Sequence, residues 1–320
     1  MPAFLLALLL TLGLAVISVF VGVVDMPLAT LLAGGSDATA AQVMAISRLP
    51  RTLALILAGS SLAIAGMVMQ MIVRNRFVEP STTGTTESAA LGFLVATLLV
   101  PHWPVMGRML VAAAFALAGT LLFLRILRFV PLRDVVLVPL VGMMLSGVIG
   151  AVATFIAYRY NLLASLLAWS MGDFSAVLRG RYELLWAGLV CTALAWLAAD
   201  RFTVAGMGRS FSTNLGSNHA RVMLLGLAIV SIIAAVCLVS VGAIPFLGLV
   251  VPNLVSLAIG DNLRRAIPWV ALGGAAFVLA CDILGRVLRQ PYEIPLSVVV
   301  GVIGSAVFIW LLLRRGGAHG

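Results

Sequence analysis

The chain has 320 residues, of which 62% are hydrophobic and only 10% are charged, and its formal net charge is +9. No soluble domain could bury so much apolar surface, so the composition excludes a soluble protein and indicates a polytopic membrane protein with a single transmembrane domain over residues 1–320. The positive charge favours contact with membrane lipids rather than nucleic acid, because no basic stretch alternates with exposed aromatic residues.

The apolar runs predict an all-α fold with about ten transmembrane helices and short re-entrant or half helices, since a span needs about 20 apolar residues. We expect the first span to be retained, because the amino terminus has neither a basic region nor a cleavage site. Cys191, Cys237 and Cys281 fall singly within spans and are interpreted as packing residues. A half-helix is expected at 162–171. The predicted spans cover roughly 4–24, 52–73, 89–100, 109–124, 135–157, 182–199, 222–241, 249–259, 268–288 and 296–313.

A polar segment follows the second predicted span, with the sequence RNRFVEPSTTGTTESAALG from Arg74 to Gly92. Within it, Asn75, Pro80 and Gly84 are typical of a turn-rich connection. Its threonines can cap the helix that follows, because their hydroxyl groups accept hydrogen bonds from free backbone N–H groups. We therefore interpret residues 74–84 as a loop that enters the third span.

A second polar stretch, GMGRSFSTNLGSNHAR, separates the sixth and seventh predicted spans at residues 206–221. Small residues followed by Leu215 and Gly216 predict a short helix that ends where glycine allows the chain to reverse. The hydroxyl, amide and arginine groups of this stretch would lack partners in hydrocarbon, so it must lie in water. Taken alone, it is equally typical of an ordinary cytoplasmic loop.

A third motif, GAIPFLGLVVPN, occupies residues 242–253, between the seventh and eighth predicted spans. Pro252 lacks a backbone N–H group and disfavours a regular helix. We therefore predict a helix break at Gly248 and Pro252.

Together these stretches resemble the ABC importer permeases of the iron-siderophore and cobalamin group, over nearly the whole chain from Arg48. The segment after span two is similar to the family signature Arg-Asn-Pro-Leu-Ala-x-Pro, and residues 242–253 are similar to its pattern Gly-x-Ile-x-Phe-x-Gly-Leu-x-x-Pro-His. Asn253 stands in the place of that histidine. Arg76 in place of the usual proline, and threonines in place of an apolar run, resemble the branch that imports ferric catecholate-type siderophores more than the cobalamin branch.

The resemblance implies a permease subunit that moves an intact ferric siderophore across the bacterial cytoplasmic membrane, with both termini inside; a cobalamin or haem permease is the alternative. It implies a second permease subunit, identical or paralogous, and an extracytoplasmic substrate-binding protein. It also implies that a cytoplasmic loop at 200–221 docks on separate ABC ATPase subunits, through Arg209, Ser212, Thr213, Asn214, Leu215 and Gly216. The candidates for a cytoplasmic gate are Asn75, Pro80, Thr83, Gly84 and Arg133.

Three arginines, Arg48, Arg51 and Arg286, lie at the outer ends of predicted spans, where the positive-inside rule does not require them. In the resembled family, arginines at the matching positions meet acidic residues of the binding protein, and arginine–carboxylate pairs provide attraction and register. We therefore expect these arginines to receive the binding protein. The alternative is interfacial snorkelling, with Asp282 and Arg286 forming an i,i+4 pair.

The interiors of the predicted spans contain few ionisable residues. A charged group at the midplane costs about 2.5–3.5 kcal/mol on insertion scales and is normally kept for ion or proton pathways. We therefore expect no proton or sodium relay, no metal site and no bound cofactor, which disfavours an ion-coupled secondary transporter. A membrane-embedded enzyme would need paired carboxylates or histidines at one depth. The sequence also lacks the motif GxxxxGK[ST], so we expect ATP to be hydrolysed by another chain and no catalytic residue in this one.

Overall fold

The computed structural model describes residues 2–21, 42–129, 137–180, 182–208, 212, 218–260, 262–289 and 292–316, with side chains as far as residue 313. A π-helical turn (Met44–Arg48) leads into the second α-helix, and 3-10 turns at Pro80–Thr83 and Glu183–Leu185 lead into the third and seventh. The described residues form α1 (Pro2–Phe20), α2 (Leu49–Val73), α3 (Thr85–Leu99), α4 (Val105–Leu127), α5 (Leu137–Arg159), α6 (Leu163–Ser170), α7 (Trp186–Leu197), α8 (Ala199–Gly206), α9 (His219–Val241), α10 (Leu247–Ile259), α11 (Leu263–Val287) and α12 (Leu296–Gly316).

The helices confirm the all-α membrane architecture. Over the described ranges, seven helices are long and apolar enough to cross a membrane, and an eighth is added if α7 and α8, which are bent by 64° with respect to each other, form one span. Two more apolar helices, α3 and α10, are shorter than a full span. The half-helix predicted at 162–171 is present as α6. By length, the described residues therefore give seven or eight spans, and the count of about ten stays a prediction.

Helix α2 is the centre of the fold, because most of its residues are buried and it packs against α7, α8, α9, α10 and α11. Glycines allow its backbone to approach two neighbours. A Cβ atom at Gly59 would lie 2.6 Å from the carbonyl oxygen of Gly274 in α11, and one at Gly66 would overlap the carbonyl group of Gly248 in α10. Small residues at such contacts are the usual means of helix association in lipid, where burial of apolar surface supplies no driving force.

Helix α10 runs from Leu247 to Ile259 with Gly248 and Pro252 inside it, and the kink predicted at these residues stays a prediction. Pro252 cannot donate a hydrogen bond to the Gly248 carbonyl four residues earlier. Gln70 of α2 supplies the missing donor, since its side-chain nitrogen lies 3.1 Å from that oxygen. An interruption lies just before α10, at residues 242–246, where Phe246 has a left-handed backbone with φ of 62°.

Several helices, among them α3, α9 and α11, begin earlier than the sequence predicted. In α9 and α11, the side chains of Asn218 and Asn262 accept hydrogen bonds from the backbone N–H groups of Arg221 and Arg265 and so cap the first turns. Arg265 therefore belongs to the first turn of α11 rather than to a loop. Helix α3 begins at Thr85 instead of residue 89, because the hydroxyl groups of the polar segment find partners inside the protein.

We predict that Gly66→Ala destabilises the protein by about 1–3 kcal/mol, because the added methyl group must push α10 away from α2. Gly147→Ala in α5 is the matched control, since nothing lies within 4 Å of a Cβ atom at that position. Thermal unfolding in detergent would measure both variants. An equal midpoint for the two would contradict the close α2–α10 contact.

Candidate functional site

A set of charges lies where α2 begins and α11 ends, and we call it the outer arginine cluster because the sequence predicts these helix ends to be outside: Arg48, Arg51, Asp282, Arg286 and Glu293. Arg51 bridges two carboxylates, with one guanidinium nitrogen 2.8 Å from Asp282 and another 2.7 Å from Glu293. The other oxygen of Asp282 lies 2.6 Å from Arg286, one turn further along α11. The predicted i,i+4 pair of Asp282 and Arg286 is thus confirmed, as part of a larger network.

Two arginines of this cluster also bind the carboxyl end of α1. Arg286 donates to the backbone carbonyls of Ser18 and Val21 and to the Ser18 hydroxyl group. Arg48 donates to the carbonyls of Val19 and Phe20, each at 3.2 Å. The last carbonyl groups of a helix lack intrahelical partners and carry partial negative charge, so these guanidinium groups both satisfy and neutralise the end of α1.

The side chains of the outer arginine cluster differ in exposure. Arg48 is 8% and Arg286 is 6% exposed. Arg51 is 13% exposed and Glu293, at the outer edge, is 24% exposed. Arg48 and Arg286 face the carboxyl end of α1, whereas Arg51 and Glu293 form the more accessible edge of the cluster.

On the other side of the protein, residues 74–84 connect α2 to α3, and we call them the gate segment because they contain the predicted gate residues Asn75, Pro80, Thr83 and Gly84. The segment is largely buried. The Thr83 hydroxyl lies 2.9 Å from the Thr85 hydroxyl, which lies 2.7 Å from that of Thr120 in α4. This chain of hydroxyl groups fixes the segment against α3 and α4, so its polar residues are satisfied without water.

Glu79 connects the gate segment to the beginning of α10. Its side chain is 2% exposed, and its carboxylate accepts hydrogen bonds from the backbone N–H of Phe246, at 2.8 Å, and from the Ser81 hydroxyl. Burial raises the pKa of the Glu79 carboxyl, while bonds from Ser81 and from the N–H groups of Phe246, Gly248 and Leu249 favour its charged form. The amino-terminal end of a helix stabilises such a negative charge. The left-handed backbone of Phe246, which costs about 1–3 kcal/mol, is held at this contact.

Further contacts attach the gate segment to α10 and to two other helices, α12 and α5. The side-chain amide of Asn253 in α10 donates to the Arg76 carbonyl at 2.7 Å. The ring of Phe308 in α12 packs against Phe77 of the gate segment, with ring centroids 5.8 Å apart, and against Phe246, at 6.4 Å. On the opposite side, Gly142 of α5 lies directly against the Thr82 carbonyl. The gate segment is therefore wedged between α10 and α12 on one side and α5 on the other.

The predicted ATPase-coupling loop is described at 200–208, at Ser212 and at 218–221. Helix α8 occupies residues 199–206, and Ser212 is fully buried, with its backbone N–H 2.9 Å from the Gly208 carbonyl. Asp200 of α8 forms an exposed ion pair with Arg264 in the first turn of α11. The remaining predicted coupling residues, and one gate residue, lie outside the described residues: Arg209, Thr213, Asn214, Leu215, Gly216 and Arg133.

Glu79 is not among the candidate residues of the sequence analysis, because residues 74–84 read there as a loop that leads into the third span. One feature of the sequence could have indicated Glu79: it is a carboxylate directly before Pro80, in a segment that leads into an apolar helix. Glu79 and Asp282 are both buried, Glu79 in the connection between α2 and α3 and Asp282 in the last turns of α11. Within the described ranges, no group of three or more His, Cys, Asp or Glu side chains could hold a metal ion.

Comparison with known proteins gives a family and a fold. Residues 8–314 match the FecCD transport family. The chain is 48% identical to the petrobactin import system permease protein YclN of Bacillus subtilis, over 94% of this chain and 95% of that protein. It is 46% identical to the ferric-anguibactin transport system permease protein FatD of Vibrio anguillarum, over 84% and 85%.

Among solved structures, the chain resembles an inward-facing conformation of a metal-chelate type ABC transporter, with a TM-score of 0.79, 26% identity, and coverage of 98% of this chain and 99% of that one. The gate segment and α10 thus belong to a fold that matches the solved transporter over nearly the whole of both chains. The chain belongs to the FecCD transport family, and it is a multi-pass transmembrane permease subunit of the ABC importer type rather than an enzyme.

Proposed function

We propose that this chain is the permease subunit of a bacterial ABC importer that carries an intact ferric siderophore across the cytoplasmic membrane into the cell. This proposal rests on the similarity of the chain to two permeases named for petrobactin and ferric-anguibactin. The chain is 48% identical to the first over 94% of its length and 46% identical to the second over 84% of its length. A separate ATPase subunit supplies the energy, and a substrate-binding protein delivers the chelate from outside. The chain itself binds no cofactor.

A test of this function is uptake into proteoliposomes that contain the chain with its cognate ATPase and binding protein. We expect ATP-dependent accumulation of a ferric siderophore, with ferric catecholate-type chelates and ferric petrobactin as the first substrates to compare. Accumulation against a gradient without nucleotide would contradict the proposal and favour a secondary transporter. Transport of cobalamin or haem in preference to ferric chelates would assign the chain to the other branch of the family.

We propose that the two short helices, α3 and α10, and a second permease subunit complete the translocation path. We propose that α3 and α10 are half-spans that bring the total to ten, with both termini in the cytoplasm. Helix α5 supports the pairing of two permeases, because its described side chains form an exposed apolar face: Met143, Met144, Val148, Val152 and Phe155. The second subunit is identical or paralogous, and the path runs between the two.

We propose that the ATPase docks on residues 200–221 through the loop that follows α8, and that Arg133 and the gate segment form the cytoplasmic gate. The buried Ser212 and the Asp200–Arg264 pair support this, because they attach the ends of the loop to the helical domain. Movement of the loop would therefore be passed to α8 and α11. Closing of the ATPase subunits around nucleotide would then alternate the two access states.

We predict that Gly216→Asp abolishes ATP-driven uptake while membrane insertion remains normal, because close docking at a glycine leaves no room for a charged side chain. The same substitution at Gly317, near the end of the chain, is the control. Uptake by reconstituted complexes and recovery of folded protein would be measured together. Normal uptake by the Gly216 variant would remove the loop from the docking site.

For the binding protein, we propose that acidic residues dock at the accessible edge of the outer arginine cluster, where Arg51 meets Glu293. Arg48 and Arg286 support this edge by holding α1 in place. The distances allow one carboxylate to replace another, because Arg51 contacts Glu293 through a nitrogen that Asp282 does not use. Glu293 would therefore compete with the incoming carboxylates for Arg51.

We predict that Glu293→Gln strengthens capture of the binding protein by about three- to tenfold at low salt, because one charged competitor for Arg51 is removed. The gain should shrink as ionic strength rises. Glu183→Gln, which alters an exposed carboxylate at the start of the turn before α7, is the control. Binding isotherms at several salt concentrations would measure the effect, and equal or weaker capture by the Glu293 variant would contradict competition.

A further inference from the structure

The Glu79 carboxylate is the buried charge that the proposed function does not yet use. It lies between the gate segment, to which it belongs, and the first residues of α10, to which it is hydrogen-bonded. A buried carboxylate is costly unless it is fully paired, so its position is fixed by the donors around it. Those donors come from both sides of the contact: the Ser81 hydroxyl from the gate segment and the N–H of Phe246, the residue directly before α10.

The contact stabilises a negatively charged acceptor. The N–H group of Phe246, directly before α10, is bonded to Glu79, and the amino-terminal end of the helix carries partial positive charge. The Phe246 N–H and the Ser81 hydroxyl bond to the same oxygen of Glu79, so what a neutral amide lacks there is the negative charge and the second acceptor oxygen. Phe246 has a left-handed backbone, with φ of 62°, at the same point.

Helix α10 is connected in turn to the cytoplasmic side. It ends at Ile259, and the chain continues through Asn262 into α11, whose Arg264 pairs with Asp200 of α8. The proposed ATPase-coupling loop begins at the end of α8. A displacement of that loop can therefore reach α10 through packed helices and one ion pair. From α10 it reaches the gate segment at Glu79, at the Asn253–Arg76 hydrogen bond and through the ring of Phe308.

We infer that Glu79 is a positioning residue that joins the gate segment to α10, so that the two move as one unit when the cytoplasmic side opens and closes. This inference rests on the proposed function. It assigns Glu79 no contact with the cargo and no proton transfer. Its role is mechanical: the carboxylate makes a shift of α10 inseparable from a shift of residues 74–84.

The test compares Glu79→Gln with the wild-type chain in the complete reconstituted complex. Glutamine keeps the size of the side chain and one acceptor oxygen but loses the charge. We expect the number of chelates taken up per ATP hydrolysed to fall about tenfold, because a charge-assisted hydrogen bond has been weakened. ATP hydrolysis itself should change much less. Glu183→Gln should behave like wild type, and an unchanged ratio of uptake to hydrolysis in the Glu79 variant would overturn the inference.

Hydrogen exchange on the wild-type complex provides a second measurement that does not depend on the variant folding. With and without trapped nucleotide, peptides covering residues 75–84 and 246–253 should change their exchange together and in the same direction. A change confined to one of the two peptides would overturn the inference. Loss of ATP-driven uptake by the wild-type chain would instead count against the proposed function, so the two failures are distinguishable.

Discussion

The close contact of α2 with α10 at Gly66 and Gly248 is the constraint on which the rest of the structure depends. Because the two backbones touch there, Gln70 can reach the carbonyl group that Pro252 leaves without a donor. The same approach sets the beginning of α10 beside the gate segment, within reach of Glu79. In lipid, association of helices depends on such packing and on satisfied polar groups, since the surrounding chains are as apolar as the protein.

The two buried charged centres use helix ends in opposite senses. Glu79 places a carboxylate at the amino-terminal, positive end of α10, while Arg48 and Arg286 place guanidinium groups at the carboxyl-terminal, negative end of α1. Each arrangement pairs a side-chain charge with backbone groups that the helix cannot satisfy itself. Helix ends inside the protein therefore stabilise buried charges, because their unpaired backbone groups serve as hydrogen-bond partners for the charged side chains.

The sequence predicted the helices, their order and the half-helix α6 because apolar runs and turn residues are local signals. It failed where a polar group finds a distant partner. The threonines before α3 read as helix caps, yet Thr85 is bonded to Thr120, 35 residues away, and no local signal shows that Gln70 supplies a donor to the carbonyl that Pro252 leaves without one. For the same reason Glu79 escaped notice. Polarity in such a segment indicates a need for partners, and only the tertiary fold decides whether water or protein provides them.

The outer arginine cluster contains three guanidinium groups and two carboxylates, so it carries one excess positive charge that the carboxyl end of α1 offsets only in part. This excess charge would favour the proposed docking of an acidic partner even though each arginine already has a partner. Glu293 lies three residues before α12, in the turn that leads into it. Helix α12 carries Phe308, which contacts both Phe77 of the gate segment and Phe246 before α10. The proposed docking edge and the gate segment are thus both attached to α12.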